Sequence, residues 1–134
     1  MRLFTVAEAN ALIPWLEERF RDLSNLRAEA RPAREALDRI EQRTGSNGSD
    51  RTAELAALRG RIDAFVSRTT ALLEEIAARG CDVKDVGQGL VDFPYSRDGR
   101  IVYLCWKQGE DRIRYWHERT TGFAGRHPLD EDET

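Results

Sequence analysis

The sequence predicts an α+β fold: a long antiparallel helical hairpin packed on a small three-stranded antiparallel sheet. Three observations carry that prediction. Apolar residues recur at spacings of three and four up to Gly80, a Gly/Ser/Asn-rich breaker divides that stretch, and beyond Gly80 the period changes to two.

The first helix opens at Thr5-Val6-Ala7-Glu8, a capping box in which the Thr5 hydroxyl and the Glu8 carboxylate each meet the other's backbone N–H. Ala9, Leu12, Ile13, Leu16, Phe20, Leu23 and Leu26 form its apolar stripe, and Ala33, Leu37 and Ile40 extend it. Pro14 removes a hydrogen bond to Asn10 and predicts a kink or break; Pro32 predicts a kinked continuation. Thr44 to Asp50 reads as the breaker and contains several residues able to cap a helix. The second helix is expected from Arg51 to Arg79, closed by Gly80. Its seam of Leu55, Leu58, Ile62, Phe65, Thr69, Leu72 and Ile76 calls for a partner helix, which the first supplies.

Three strands are expected after Gly80. Leu90–Pro94 is read as an edge because Pro94 cannot donate to a ladder. Ile101–Trp106 is β-branched and aromatic, and Ile113–His117 returns after a turn at Gly109. Asp98-Gly99 predicts a two-residue turn with Arg97 opposite Arg100 and Phe93 opposite Leu104. If Trp106 faces Ile113, Leu104 faces Tyr115. Tyr115 and His117 then join Val91, Phe93, Val102, Leu104 and Trp106 on an apolar core face. Asp92, Cys105 and Arg114 form a row on the other face, together with Tyr103 and Trp116. A slip of one residue would exchange the faces of the last strand.

At 134 residues, the chain is expected to form one domain: 1–80 hairpin, 81–119 sheet, 120–134 C-terminal strap and acidic tail. Charged residues make up 34% and the net charge is -3, which provides no basic footprint for nucleic acid. Cys81 and Cys105 are too few for a secreted disulfide framework. There is no apolar run of signal-peptide or membrane-span length, so the expectation is a cytoplasmic protein with no membrane partner. A second helix of about 29 residues spans roughly 43 Å, more than a small sheet covers. Self-association through the hairpin into a homodimer would bury the distal stripe; mutual shielding by the two helices is the alternative.

Several blocks carry a resemblance. They are Leu3-Phe4-Thr5-Val6-Ala7-Glu8-Ala9-Asn10-Ala11-Leu12-Ile13-Pro14, Val83-Lys84-Asp85, Gly89 to Pro94, Val102 to Trp106 with Gly109-Glu110, Trp116-His117 and Gly122 to Arg126. In that order they are similar to a bacterial family of uncharacterised proteins filed as a domain of unknown function. The resemblance implies a small bacterial cytosolic protein and no particular chemistry.

The candidate ligand-binding residues are Asp92, Tyr103, Arg114, Trp116, His117 and Arg126. His117 is the one histidine within an expected strand. On this register Asp92 and Cys105 point away from it, so no metal set assembles, and a histidine bonded at the core rim is the plainer reading. Cys105 lacks a base on its own face and reads as a buried core thiol. Asp92 and Arg114 suit a cross-strand ion pair or, floored by Tyr103 and Trp116, a site for a small anionic or planar ligand. Gly122 to His127 is either a strap over the sheet or a loop that approaches an anion with Arg126.

No catalytic residue or cofactor is assigned by these features. They point to a non-enzymatic homodimeric interaction or ligand-binding domain. The alternative is a small-ligand or metal-dependent enzyme with its site between the sheet and the C-terminal strap.

Overall fold

The computed structural model describes residues 1–43 and 48–134. The breaker's residues 44–47, and the caps expected among them, lie outside the described residues. Helix α1 spans Val6–Glu41 and α2 spans Gly48–Ala78. The capping box forms as expected: Glu8 N–H donates to Thr5 Oγ1 at 3.1 Å, and Thr5 N–H donates to Glu8 Oε1 at 2.8 Å. Neither proline ends α1. Both Pro14 and Pro32 face solvent, where water can satisfy the carbonyl each one frees. Gly80 closes α2 with a φ of 94°, a conformation that glycine adopts without steric cost.

The chain divides into two compact units, Met1–Arg21 with Leu73–Thr134, and Asp22–Leu72. In the second unit the hairpin forms a small core of its own. Ala33, Ile40 and Leu58 are buried, and Ala36, Leu37, Leu55 and Ile62 pack against them half-buried.

The first unit is a sheet of five strands, not three, in the order β1 (Asp82–Asp85), β2 (Leu90–Arg97), β3 (Arg100–Lys107), β4 (Tyr115–His117) and β5 (His127–Pro128), all neighbours antiparallel. The two unforeseen strands are the outer ones. Neither has a run of β-formers: β1 is mostly charged, and β5 is two residues long. β2 is therefore an inner strand. Pro94 is accommodated because β1 pairs only as far as Asp92, and beyond it Phe4 N–H donates to the Pro94 carbonyl at 2.8 Å.

One face of the sheet carries the core. Val91, Phe93, Val102, Leu104 and Trp106 are buried with Ala9, Ile13, Leu16 and Phe20 of α1 and Ile76 of α2. Phe20 lies against Trp106 with ring centroids 6.0 Å apart, and Phe4 meets Phe93 edge-on at 5.1 Å.

The turn at Asp98-Gly99 and the β2–β3 register are as expected, with Arg97 opposite Arg100 and Phe93 opposite Leu104. Asp98 and Gly99 both have positive φ, 52° and 80°, the mark of the favoured hairpin turn. The register of β4 differs by one residue: Tyr103 faces His117, Leu104 faces Trp116, and Cys105 faces Tyr115. Ile113 does not pair with Trp106, because α1 claims its N–H: Asn10 Oδ1 accepts it at 2.7 Å. The ladder resumes only at Tyr115. That one-residue offset turns His117 toward Asp92 and Cys105, and turns Trp116 toward the apolar face.

Among the described residues, no helix is long and apolar enough to cross a membrane.

Candidate metal centre

Three adjacent strands each deliver one donor to the face opposite the helices. β2 pairs Asp92 with Cys105 of β3, and His117 of β4 stands opposite Tyr103, two residues from Cys105 on the same face. The carboxylate, the thiol and the imidazole lie within 4.8 Å of one another. All three are buried, with only 3% of Asp92, 1% of Cys105 and 2% of His117 exposed.

Both ring nitrogens of His117 are engaged. Nδ1 is 2.7 Å from the Glu118 carbonyl, which can only accept, so Nδ1 carries a proton. Nε2 is thereby aimed inward, 2.9 Å from Asp92 Oδ1. Tyr103 stacks on the imidazole, centroids 5.7 Å apart and planes 28° apart. Burial raises the Asp92 carboxyl above its ordinary range, against the opposing pull of the His117 bond and the Lys84 ammonium. Lys84 itself is held by Asp82 at 2.7 Å. The Cys105 thiol is pushed up to about 12, first by burial and then by the Asp92 charge, with Arg126 acting in the other direction.

The segment after β4 returns over this face. Arg126 lies over the rings of Tyr115 and Phe123, 4.2 and 3.9 Å from their centroids, and donates to Glu110 Oε2 at 3.1 Å. Lys107 lies 5.8 Å from the Phe123 centroid.

Of the candidate residues, Asp92, His117 and Tyr103 are brought together, and Arg126 sits beside Cys105. Arg114 does not share their row. Tyr115 takes that place, and Arg114 pairs instead with Asp111 at 2.7 Å. Trp116 lies on the other face, buried against His127 at 4.7 Å and beneath Arg97 at 4.4 Å. Two expectations are corrected here. The reading that no metal set assembles rested on the slipped register, and the reading that Cys105 has no histidine on its face fails for the same reason. Sequence reasoning also missed the Glu118 carbonyl, since a backbone group leaves no signature.

A family model described as "Uncharacterized conserved protein (DUF2203)" matches residues 2–129. The chain belongs to the DUF2203 family. No curated protein and no solved structure matches it at a significant level. The DUF2203 description carries no activity, so the chemistry of this member has to be read from its donors. Those donors overturn the non-enzymatic reading, which assumed that no self-consistent set of reactive groups exists.

The buried thiols make a pH prediction. Burial pushes Cys81 up to about 11 and Cys105 up to about 12, whereas an unfolded thiol ionises near 9.0. Above that pH the unfolded chain holds fewer protons than the folded one, so stability falls as pH rises from about 9 toward 11–12. Urea midpoints of metal-free protein should decline across this window, and less steeply in Cys105→Ala. A flat profile would contradict the burial of both thiols.

Proposed function

We propose that this protein is a metal-dependent enzyme whose centre is Asp92, Cys105 and His117, acting on a small molecule admitted between the sheet and the C-terminal strap. The observation that carries the reading is the convergence of oxygen, sulfur and nitrogen donors from three strands within 4.8 Å. Mixed donors of this kind suit a zinc-class ion, and three protein ligands leave a fourth position open, as in catalytic rather than structural sites. A carboxylate and a thiolate together bring two negative charges into a buried place, which a divalent cation neutralises.

When bound, such an ion supplies Lewis-acid polarisation or an activated water, the chemistry of hydrolysis and hydration. The chain's own residues do the rest. The Glu118 carbonyl fixes the tautomer and the direction of His117, the kind of support that metal-binding histidines commonly have. Tyr103 holds the ring from its face. Lys84 beside Asp92 and Arg126 beside Cys105 ease negative charge on those two donors, each cation being itself paired, with Asp82 and with Glu110. A reducing cytoplasm suits a thiol ligand that must stay unoxidised. Self-association through the hairpin is a separate proposal, supported by the half-buried seam residues Phe65, Thr69 and Leu72. Light scattering that gave a strict monomer at high protein concentration would remove it.

Cobalt titration tests the centre. One equivalent of Co²⁺ should produce the near-ultraviolet charge-transfer band of a thiolate–cobalt bond, absent in Cys105→Ser and at least about tenfold weaker in apparent affinity in His117→Ala. No band, with no metal retained after dialysis, would sink the reading.

A further inference from the structure

The row that supplies two of the donors does not stop at them. Asp92, Cys105, Tyr115 and Pro128 face one another in turn across β2, β3, β4 and β5, so their side chains share one face of the sheet. Adjacent strands are about 5 Å apart, which places Tyr115 one strand from Cys105. Tyr115 also lines a cavity of about 320 Å³, together with Arg112, Arg114, Pro128, Leu129, Glu131 and Thr134. That volume is at the lower end of small-molecule sites, roughly 300 Å³ and above.

The lining sorts by chemistry. Tyr115, Pro128 and Leu129 offer an apolar wall, including an aromatic ring whose position is secured by Arg126, 4.2 Å from its centroid. Leu129 is held by its N–H, which donates to the Arg114 carbonyl at 2.8 Å. The Arg114 guanidinium is already met by Asp111 at 2.7 Å. Arg112 makes no hydrogen bond or ion pair among the described residues, and its charge acts on Asp111. One guanidinium is therefore uncommitted, and its planar fork matches a carboxylate. Glu131 across the cavity makes a second negative charge unfavourable, which disfavours a phosphate dianion.

We infer that this cavity binds the substrate, and that the substrate is a small monocarboxylate with a flat apolar body: the acid held by Arg112 with Arg114, the body lying on Tyr115 and Leu129, and the remainder directed along the row toward Cys105. The substrate assignment rests on the metal-centre reading, whereas binding in the cavity does not.

Benzoate is the probe. Titrated into the metal-free full chain and followed by NMR, it should bind saturably, with affinity about tenfold weaker in Arg112→Ala, the loss of one charge-assisted contact. Inorganic phosphate should not displace it. In cobalt-loaded protein the benzoate protons should be broadened by the paramagnetic ion, and Cys105→Ser should abolish the broadening without abolishing binding. Binding that is absent, indifferent to Arg112→Ala and Arg114→Ala alike, or equally displaced by phosphate overturns the pocket. Benzoate bound to cobalt-loaded protein without broadening overturns its link to the centre. Benzoate binding in a protein that takes up no cobalt supports the cavity and defeats the metal centre alone.

Discussion

Zinc added to metal-free protein should raise the thermal midpoint on the order of 10 °C, and Cys105→Ala should remove nearly all of that rise. The magnitude follows from mass action. An ion at one hundred times its dissociation constant adds about 2.7 kcal/mol to the folded state. In a chain of 134 residues each kcal/mol shifts the midpoint by roughly 3–5 °C. The donors are already within 4.8 Å in the folded protein and are brought together only by the register of three strands, so the unfolded chain has no comparable site. Magnesium should do much less, because it prefers all-oxygen octahedra. A differential scanning measurement with each ion, on wild type and Cys105→Ala, decides the matter; equal shifts in both proteins would place the metal elsewhere.

His117→Ala in the metal-free protein should cost about 3 kcal/mol or somewhat more in chemical denaturation. The substitution leaves the Asp92 carboxylate buried, 3% exposed, without the imidazole 2.9 Å away. It also removes the shortest bond to the Glu118 carbonyl, which keeps only the longer ones from Thr121 N–H at 3.4 Å and Thr121 Oγ1 at 3.5 Å. Asp92 can escape part of the penalty by taking up a proton, which keeps the cost toward the lower end of what a broken buried pair exacts. Asp92→Asn offers the contrast. An amide can still meet His117 Nε2, so the loss of stability should stay near about 1 kcal/mol, while metal affinity collapses for want of the anionic ligand. The pair thereby separates folding from metal binding. A His117→Ala protein as stable as wild type would mean that the Asp92–His117 contact contributes nothing to the fold.

The legible parts of this fold are those governed by local rules. The Thr5–Glu8 box, the Gly80 cap and the Asp98-Gly99 turn depend on a few neighbouring residues, and each forms as its chemistry requires. With the turn fixed, the β2–β3 register follows, because strand pairing leaves no further freedom. The β4 register was not legible for a physical reason. Between Trp106 and Tyr115 the ladder is interrupted by a bond from Ile113 N–H to Asn10 Oδ1, a contact across 103 residues that no local pattern encodes. That bond decides whether His117 faces the core or Asp92, so the centre itself hung on it. The outer strands were missed for a different reason. Asp82–Asp85 and His127–Pro128 are strands because a neighbour holds them, not because their residues prefer extended backbone.

The division of the chain also sets an order of events during synthesis. Met1–Arg21 and Leu73–Thr134 belong to one compact unit, with Asp22–Leu72 between them in sequence. Residues 1–21 are therefore followed by about 50 residues of the other unit, roughly 3–10 s at ordinary elongation rates, before their own partners begin to appear. During that interval Phe4, Ile13, Leu16 and Phe20 lack the strands that bury them. Asp92, Cys105 and His117 emerge later still, in that order. On the proposed reading, metal loading would have to wait until all three donor-bearing strands have been made, and the fraction of chains that acquire an ion would depend on what the cell supplies after that moment.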